Sequence, residues 1–138
     1  MPSLLFVCVA NSFRSQMAEA MARAVVGDQW DIWSAGSAPS GHVHPLASTL
    51  MQEIGLDLAA HRSKGLDAVP DRQWDYVVTM GCGDACPTVR ARHRLDWQIP
   101  DPAALPPEQA RTLRDQLAEL IRQLIVQHQE RPVTQGGP

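Results

Sequence analysis

The residues with the clearest chemistry are a cysteine and an arginine six positions apart, Cys8 and Arg14, in the segment CVANSFRS. Immediately before them runs SLLFV, a short apolar stretch. Immediately after runs SQMAEAMARAVV, with Met17, Met21, Ala22 and Val25 at helical spacing. Cys8 to Arg14 is thus the turn between a strand and a helix. A helix start offers unpaired N–H groups and about half a positive charge, so a loop wrapped above it suits a phosphate-like anion. The same field favours the thiolate of Cys8 as nucleophile. Arg14 supplies a planar fork of donors for two oxygens of a tetrahedral oxyanion and for the charge of its transition state. Asn11 tolerates a left-handed backbone, and the hydroxyls of Ser12 and Ser15 can donate to the loop or to the sulfur. The expected oxyanion cradle is Val9, Ala10, Asn11, Ser12, Phe13, Arg14 and Ser15, with Cys8 as nucleophile. A small buried core cysteine is the competing reading of Cys8, and the spacing to Arg14 counts against it.

Two more cysteines, Cys82 and Cys86, lie in GCGDACP, between Gly81 and Pro87. Four residues apart in one helical turn, their Cα atoms would be about 6 Å apart, a span a disulfide accepts. A zinc site is the competing reading, because Cys82 and Cys86 with His42, His44 or His93 can complete four ligands. His42 and His44 also suit turn and cap positions, and His61 a place facing the cradle. Asp101, before Pro102, is a loop carboxylate of the kind that protonates an oxygen leaving group; an ordinary turn aspartate is the alternative.

These residues need a frame. The chain has 138 residues, 44% hydrophobic and 20% charged, in the range of one soluble domain. A net charge of −3 argues against a broad nucleic-acid surface. No run of about 18 apolar residues suggests a membrane span, and no secretory leader is visible. Three cysteines fit a reducing compartment. A cytoplasmic monomer is therefore expected, with one catalytic domain over 1–130 and a flexible tail over 131–138. Strands are expected at Ser3 to Val7, Trp30 to Ala35 and Tyr76 to Met80, with a short one near Leu95 and Trp97. Helices are expected from Ser15, from Pro45 to Ile54, and from Pro106 onward. In the last, Leu113, Leu117, Leu120, Ile121, Leu124 and His128 form a stripe opposite the arginines. Alternating strands and helices predict an α/β fold with a parallel four-stranded sheet and ligands at the carboxyl ends of the strands.

The joint pattern resembles the low-molecular-weight tyrosine phosphatase superfamily, and within it the arsenate reductases. It is carried by C-x5-R-S, NSFRSQMAEA, SAGSAPSGHVHPLA from Ser34, the pair Ser63-Lys64, DYVVTM from Asp75, GCGDACP, and DPA from Asp101. The resemblance implies attack by Cys8 on arsenate, then a thiol relay through Cys82 and Cys86 that supplies the two electrons of reduction. It implies arsenate as substrate, phosphate or sulfate as analogues, and thioredoxin or a low-molecular-weight thiol such as mycothiol or glutathione as reductant. No cofactor or metal is implied. Phosphoester hydrolysis by a tyrosine phosphatase is the alternative. Against it stand the two further cysteines and Ala103, where phosphatases commonly carry an aromatic residue after Asp-Pro. Some relatives bind potassium beside the cradle through an acidic residue where this chain has Lys64, so no potassium site is expected.

Overall fold

The run SLLFVC forms strand β1, Ser3–Cys8, buried at all six positions. A strand covered on both faces has no water-facing side, hence the absence of polar alternation. Leu4, Phe6 and Cys8 enter the larger core, and Leu5 and Val7 the smaller one. β1 pairs in parallel with β2 (Asp31–Gly36) and with β3 (Trp74–Thr79). β3 pairs with the edge strand β4 (Ala91–Asp96), giving the order β2-β1-β3-β4, parallel throughout. The computed structural model describes residues 1–81 and 89–130. The expected parallel four-stranded α/β sheet is what forms; the tail expected over 131–138 lies outside the described residues.

Helices α1 (Arg14–Val26), α2 (Pro45–Gln52) and α3 (Pro107–Glu130) contribute to the larger core. In α3, Ala110, Leu113, Leu117, Ile121 and Leu124 are buried at three- and four-residue spacing. Each fully buried Leu or Ile contributes about 1.5–3 kcal/mol relative to exposure. His128, at the end of the expected stripe, meets the Tyr76 hydroxyl at 2.7 Å. The smaller core holds Leu5, Val7, Ala35, Trp74 and Val77, against which Leu66, Val69 and Val89 pack.

Several expectations shift. α2 ends at Gln52, because Ile54 and Gly55 donate to Met51 and Gln52 in tighter turns, with Gly55 at φ +80°. Ile54 is consequently exposed. In α1, Val25 is exposed and Val26 takes the core position. Arg114 does not lie on the outer side of α3. It is buried, donating to the Leu50 carbonyl at 3.1 Å and to Glu53 at 2.6 Å, and so ties α3 to α2. β4 begins four residues before Leu95; its sequence ARHRLD alternates between half-buried and exposed, as suits an edge.

Candidate active site

Cys8 is the last residue of β1, and Arg14 the first of α1. The turn between them is shaped from outside. Ser37 N–H donates to the Cys8 carbonyl, Ala38 to Val9, Ser40 to Ala10 and His44 to Ser12, at 2.8 to 3.1 Å. Ser63 Oγ also donates to the Ala10 carbonyl, at 2.8 Å. In a trans peptide the N–H of the next residue points opposite to the carbonyl. Carbonyls drawn outward at Cys8, Val9, Ala10 and Ser12 therefore turn the N–H groups of Val9, Ala10, Asn11 and Phe13 inward. Among the described residues, no loop carbonyl or side chain accepts from the N–H groups of Ala10 to Phe13. Inward donors above a helix start are an arrangement that suits an anion.

Asn11 is the one described non-glycine residue with positive φ, at 47°, and it is fully buried. Its side chain shows why asparagine stands there. Nδ2 donates to Ser15 Oγ at 2.7 Å and to Ser34 Oγ at 3.1 Å, while Oδ1 accepts from Gln16 Nε2 and Lys64 N, each at 2.9 Å. Ser15 Oγ stands 2.9 Å from Cys8 Sγ. Gly36, at the end of β2, lets the turn pass closely: a Cβ there would lie 2.5 Å from the Val9 carbonyl oxygen and 2.9 Å from Asn11 N.

Behind the cradle lies a buried charge. Glu19 accepts from Ser34 Oγ at 2.5 Å and faces Arg23 at 3.2 Å and Lys64 Nζ at 3.6 Å. Lys64 Nζ also reaches Ser34 Oγ at 3.5 Å, so the oxygens beside the cradle meet an ammonium supplied by the chain. Burial pushes the Lys64 pKa down, with Glu19 opposing. Burial likewise pushes His61 below the usual histidine range. His61 Nδ1 lies 3.0 Å from Gln16 Oε1, which can only accept, so Nδ1 carries the proton. Gln16 in turn donates to the Asn11 carbonyl and the Arg62 carbonyl. His61 thus reaches the cradle through Gln16.

The structure brings Cys8, Val9, Ala10, Asn11, Ser12, Phe13, Arg14 and Ser15 into one turn. Arg14 Nη1 donates to the Ile99 carbonyl at 2.9 Å, joining the turn to the loop that carries Asp101. Asp101 itself is exposed; its Oδ1 accepts from Ala103 N–H at 3.0 Å, capping a short 3-10 turn, Pro102–Ala104. Cys82 and Cys86 lie outside the described residues, as does the zinc arrangement that would use them. Among the described residues, no group of three or more histidine, cysteine or acidic side chains could hold a metal ion. His44 is the N-cap of α2, its Nδ1 accepting from Leu46 N–H at 3.1 Å, and its ring packs on Phe13 at 5.0 Å. The sequence pattern singles out none of Gln16, Glu19, Ser34 and Gly36 as a site residue. The sequence does carry a signal: Gln16 and Glu19 are three apart among the apolar Met17, Ala18, Ala20, Met21 and Ala22, and both are buried, as is Ser15.

The sequence pattern of the low molecular weight phosphotyrosine protein phosphatase family matches residues 3–133. Arsenate reductase 2 of Staphylococcus saprophyticus is 36% identical over 125 residues, covering 88% of this chain and 94% of that protein. A solved structure of an arsenate reductase in the phosphate binding state superposes with a TM-score of 0.83 at 35% identity, over 92% of this chain and 98% of that one. The thioredoxin-dependent arsenate reductase of Corynebacterium glutamicum superposes with a TM-score of 0.77 at 33% identity. That similarity covers 94% of this chain and 62% of that protein. No described helix is long and apolar enough to cross a membrane.

Proposed function

The chain belongs to the low molecular weight phosphotyrosine protein phosphatase family, and we propose that within it the chain reduces arsenate to arsenite through a thiol/disulfide relay that starts at Cys8. The observation that carries the reading is the cradle, in which four carbonyls are held outward around a cysteine that has a hydroxyl 2.9 Å from its sulfur. The relatives named arsenate reductases support the reductase reading over the hydrolytic one.

The thiolate of Cys8 attacks arsenic(V); an S–As bond forms and one oxygen leaves as water. The N–H groups of the cradle and the Arg14 fork hold the remaining oxygens. Asp101 is proposed to protonate the leaving oxygen. Cys82 then attacks Cys8 Sγ: an S–S bond forms, the S–As bond breaks, and its electron pair stays on arsenic, which departs as arsenite. Cys86 attacks Cys82, freeing Cys8 and leaving a Cys82–Cys86 disulfide for an external thiol to reduce. The electrons come from thiols, so the reaction needs no resident cofactor.

Thioredoxin is the proposed reductant, since a structural relative is named thioredoxin-dependent; mycothiol and glutathione are the other candidates. A monomer in the cytoplasm, with residues 1–130 as the catalytic domain and 131–138 as its tail, completes the proposal. The test is arsenite release from arsenate with thioredoxin, with mycothiol, and with glutathione plus a glutaredoxin, beside p-nitrophenyl phosphate hydrolysis. Arsenite release that falls about a thousandfold or more in Cys8→Ser and Arg14→Ala supports the reading. Efficient phosphoester hydrolysis without arsenite release favours the phosphatase.

A further inference from the structure

Gly81 follows β3 and has a backbone φ of +77°. A side chain there would place its Cβ 2.5 Å from Arg14 Nη1, 3.6 Å from Arg14 Cζ and 3.5 Å from the Ile99 carbonyl oxygen. Two demands fall on this position, and they differ in which residues meet them. The positive φ is tolerated by asparagine as well as by glycine. The contact with Arg14 is tolerated by glycine alone. On the other side, Arg14 Nη1 donates to the Ile99 carbonyl at 2.9 Å. A guanidinium has five N–H donors in a rigid plane, so fixing one of them fixes the directions of the other four.

We propose that Gly81 is a positioning residue for the oxyanion: its bare backbone makes the room that the Arg14 guanidinium occupies against the Ile99 carbonyl, and so sets where the fork meets the anion. The crowded atom is the far end of a flexible side chain. A Cβ at position 81 therefore turns Arg14 aside and leaves the fold in place. The proposal rests on the cradle binding an oxyanion, and its readout is phosphate binding, independent of arsenate turnover and of the relay.

The experiment measures the phosphate Kd from protection of Cys8 against iodoacetamide, together with thermal melting, in Gly81→Ala and Gly81→Asn. Both substitutions are also placed in an Arg14→Lys background, which keeps a positive charge and drops the branch that meets position 81. Both variants are expected to fold and to lose about tenfold or more in phosphate affinity, with less than twofold further loss in the Arg14→Lys background. Gly81→Asn, relieved of backbone strain, decides the matter if Gly81→Ala does not fold. A Gly81→Asn protein that binds phosphate within twofold of wild type overturns the proposal. So does an equal loss in the Arg14→Lys background, or failure of both variants to fold, since either places the effect on the backbone instead of on Arg14. Absence of phosphate protection in the wild type removes the cradle reading itself.

Discussion

Ser15 Oγ stands 2.9 Å from Cys8 Sγ while accepting from Asn11 Nδ2 at 2.7 Å. Either atom can donate across this contact when Cys8 is a thiol, and only the hydroxyl can donate when it is a thiolate. A hydrogen bond to a charged group is worth about 1.5–3 kcal/mol, a factor of roughly ten or more. Ser15→Ala is therefore expected to slow iodoacetamide alkylation of Cys8 by about tenfold. Equal rates would show that the reactivity of Cys8 does not depend on Ser15.

Gly36 controls the close passage of the cradle over β2. A Cβ there would sit 2.5 Å from the Val9 carbonyl oxygen and 2.9 Å from Asn11 N, both backbone atoms that cannot step aside alone. Gly36→Ala is expected to cost about 1–3 kcal/mol of stability by overpacking. Because the displaced atoms belong to the anion turn, phosphate protection of Cys8 should weaken with it. Denaturant midpoints and alkylation protection measure the two effects; unchanged values of both would mean that the turn is not held to β2.

Much of this site was legible because its chemistry is local. Cys8 to Arg14 is one continuous turn, and a strand, a turn and a helix in that order already imply inward N–H groups. The contacts that hold the turn open are not local. The carbonyl of Val9 is held by Ala38, Asn11 Oδ1 by Lys64, and Arg14 by Ile99, across 29, 53 and 85 residues. No periodicity reports such pairings. β4 begins earlier than its apolar residues suggest, because ARHRLD has few of them and gains its strand character from pairing with β3. Gly36 and Gly81 matter through what a side chain would strike, and that depends on the fold.

His61 carries a pH dependence with a defined sign. Burial holds its imidazole below the free value of about 6.5, with the Glu19 carboxylate 3.8 Å away opposing that shift. Below about pH 6.5 the unfolded chain takes up a proton that the folded protein resists, so stability falls as the pH falls toward the folded-state value. His61→Gln removes this contribution. Urea midpoints at pH 7.5 and 5.5 should differ less in His61→Gln than in the wild type. Parallel pH profiles would mean that His61 is protonated equally in both states.

The relay separates the reductase from both rivals, because it alone requires Cys82 and Cys86 to change partners. In a single turnover without external reductant, Cys86→Ser is expected to release one arsenite and stop with a Cys8–Cys82 disulfide, since nothing remains to attack Cys82. Cys82→Ser is expected to stop earlier, at the Cys8 adduct, unless a small thiol is added. A phosphatase would keep p-nitrophenyl phosphate hydrolysis in both variants, and a zinc site would lose stoichiometric metal in both. Non-reducing peptide mapping by mass spectrometry distinguishes these states by the peptides that remain joined. If Cys86→Ser turns over normally with thioredoxin and no Cys8–Cys82 peptide forms, electrons must reach Cys8 directly from an external thiol, and the two later cysteines have no part in the reduction.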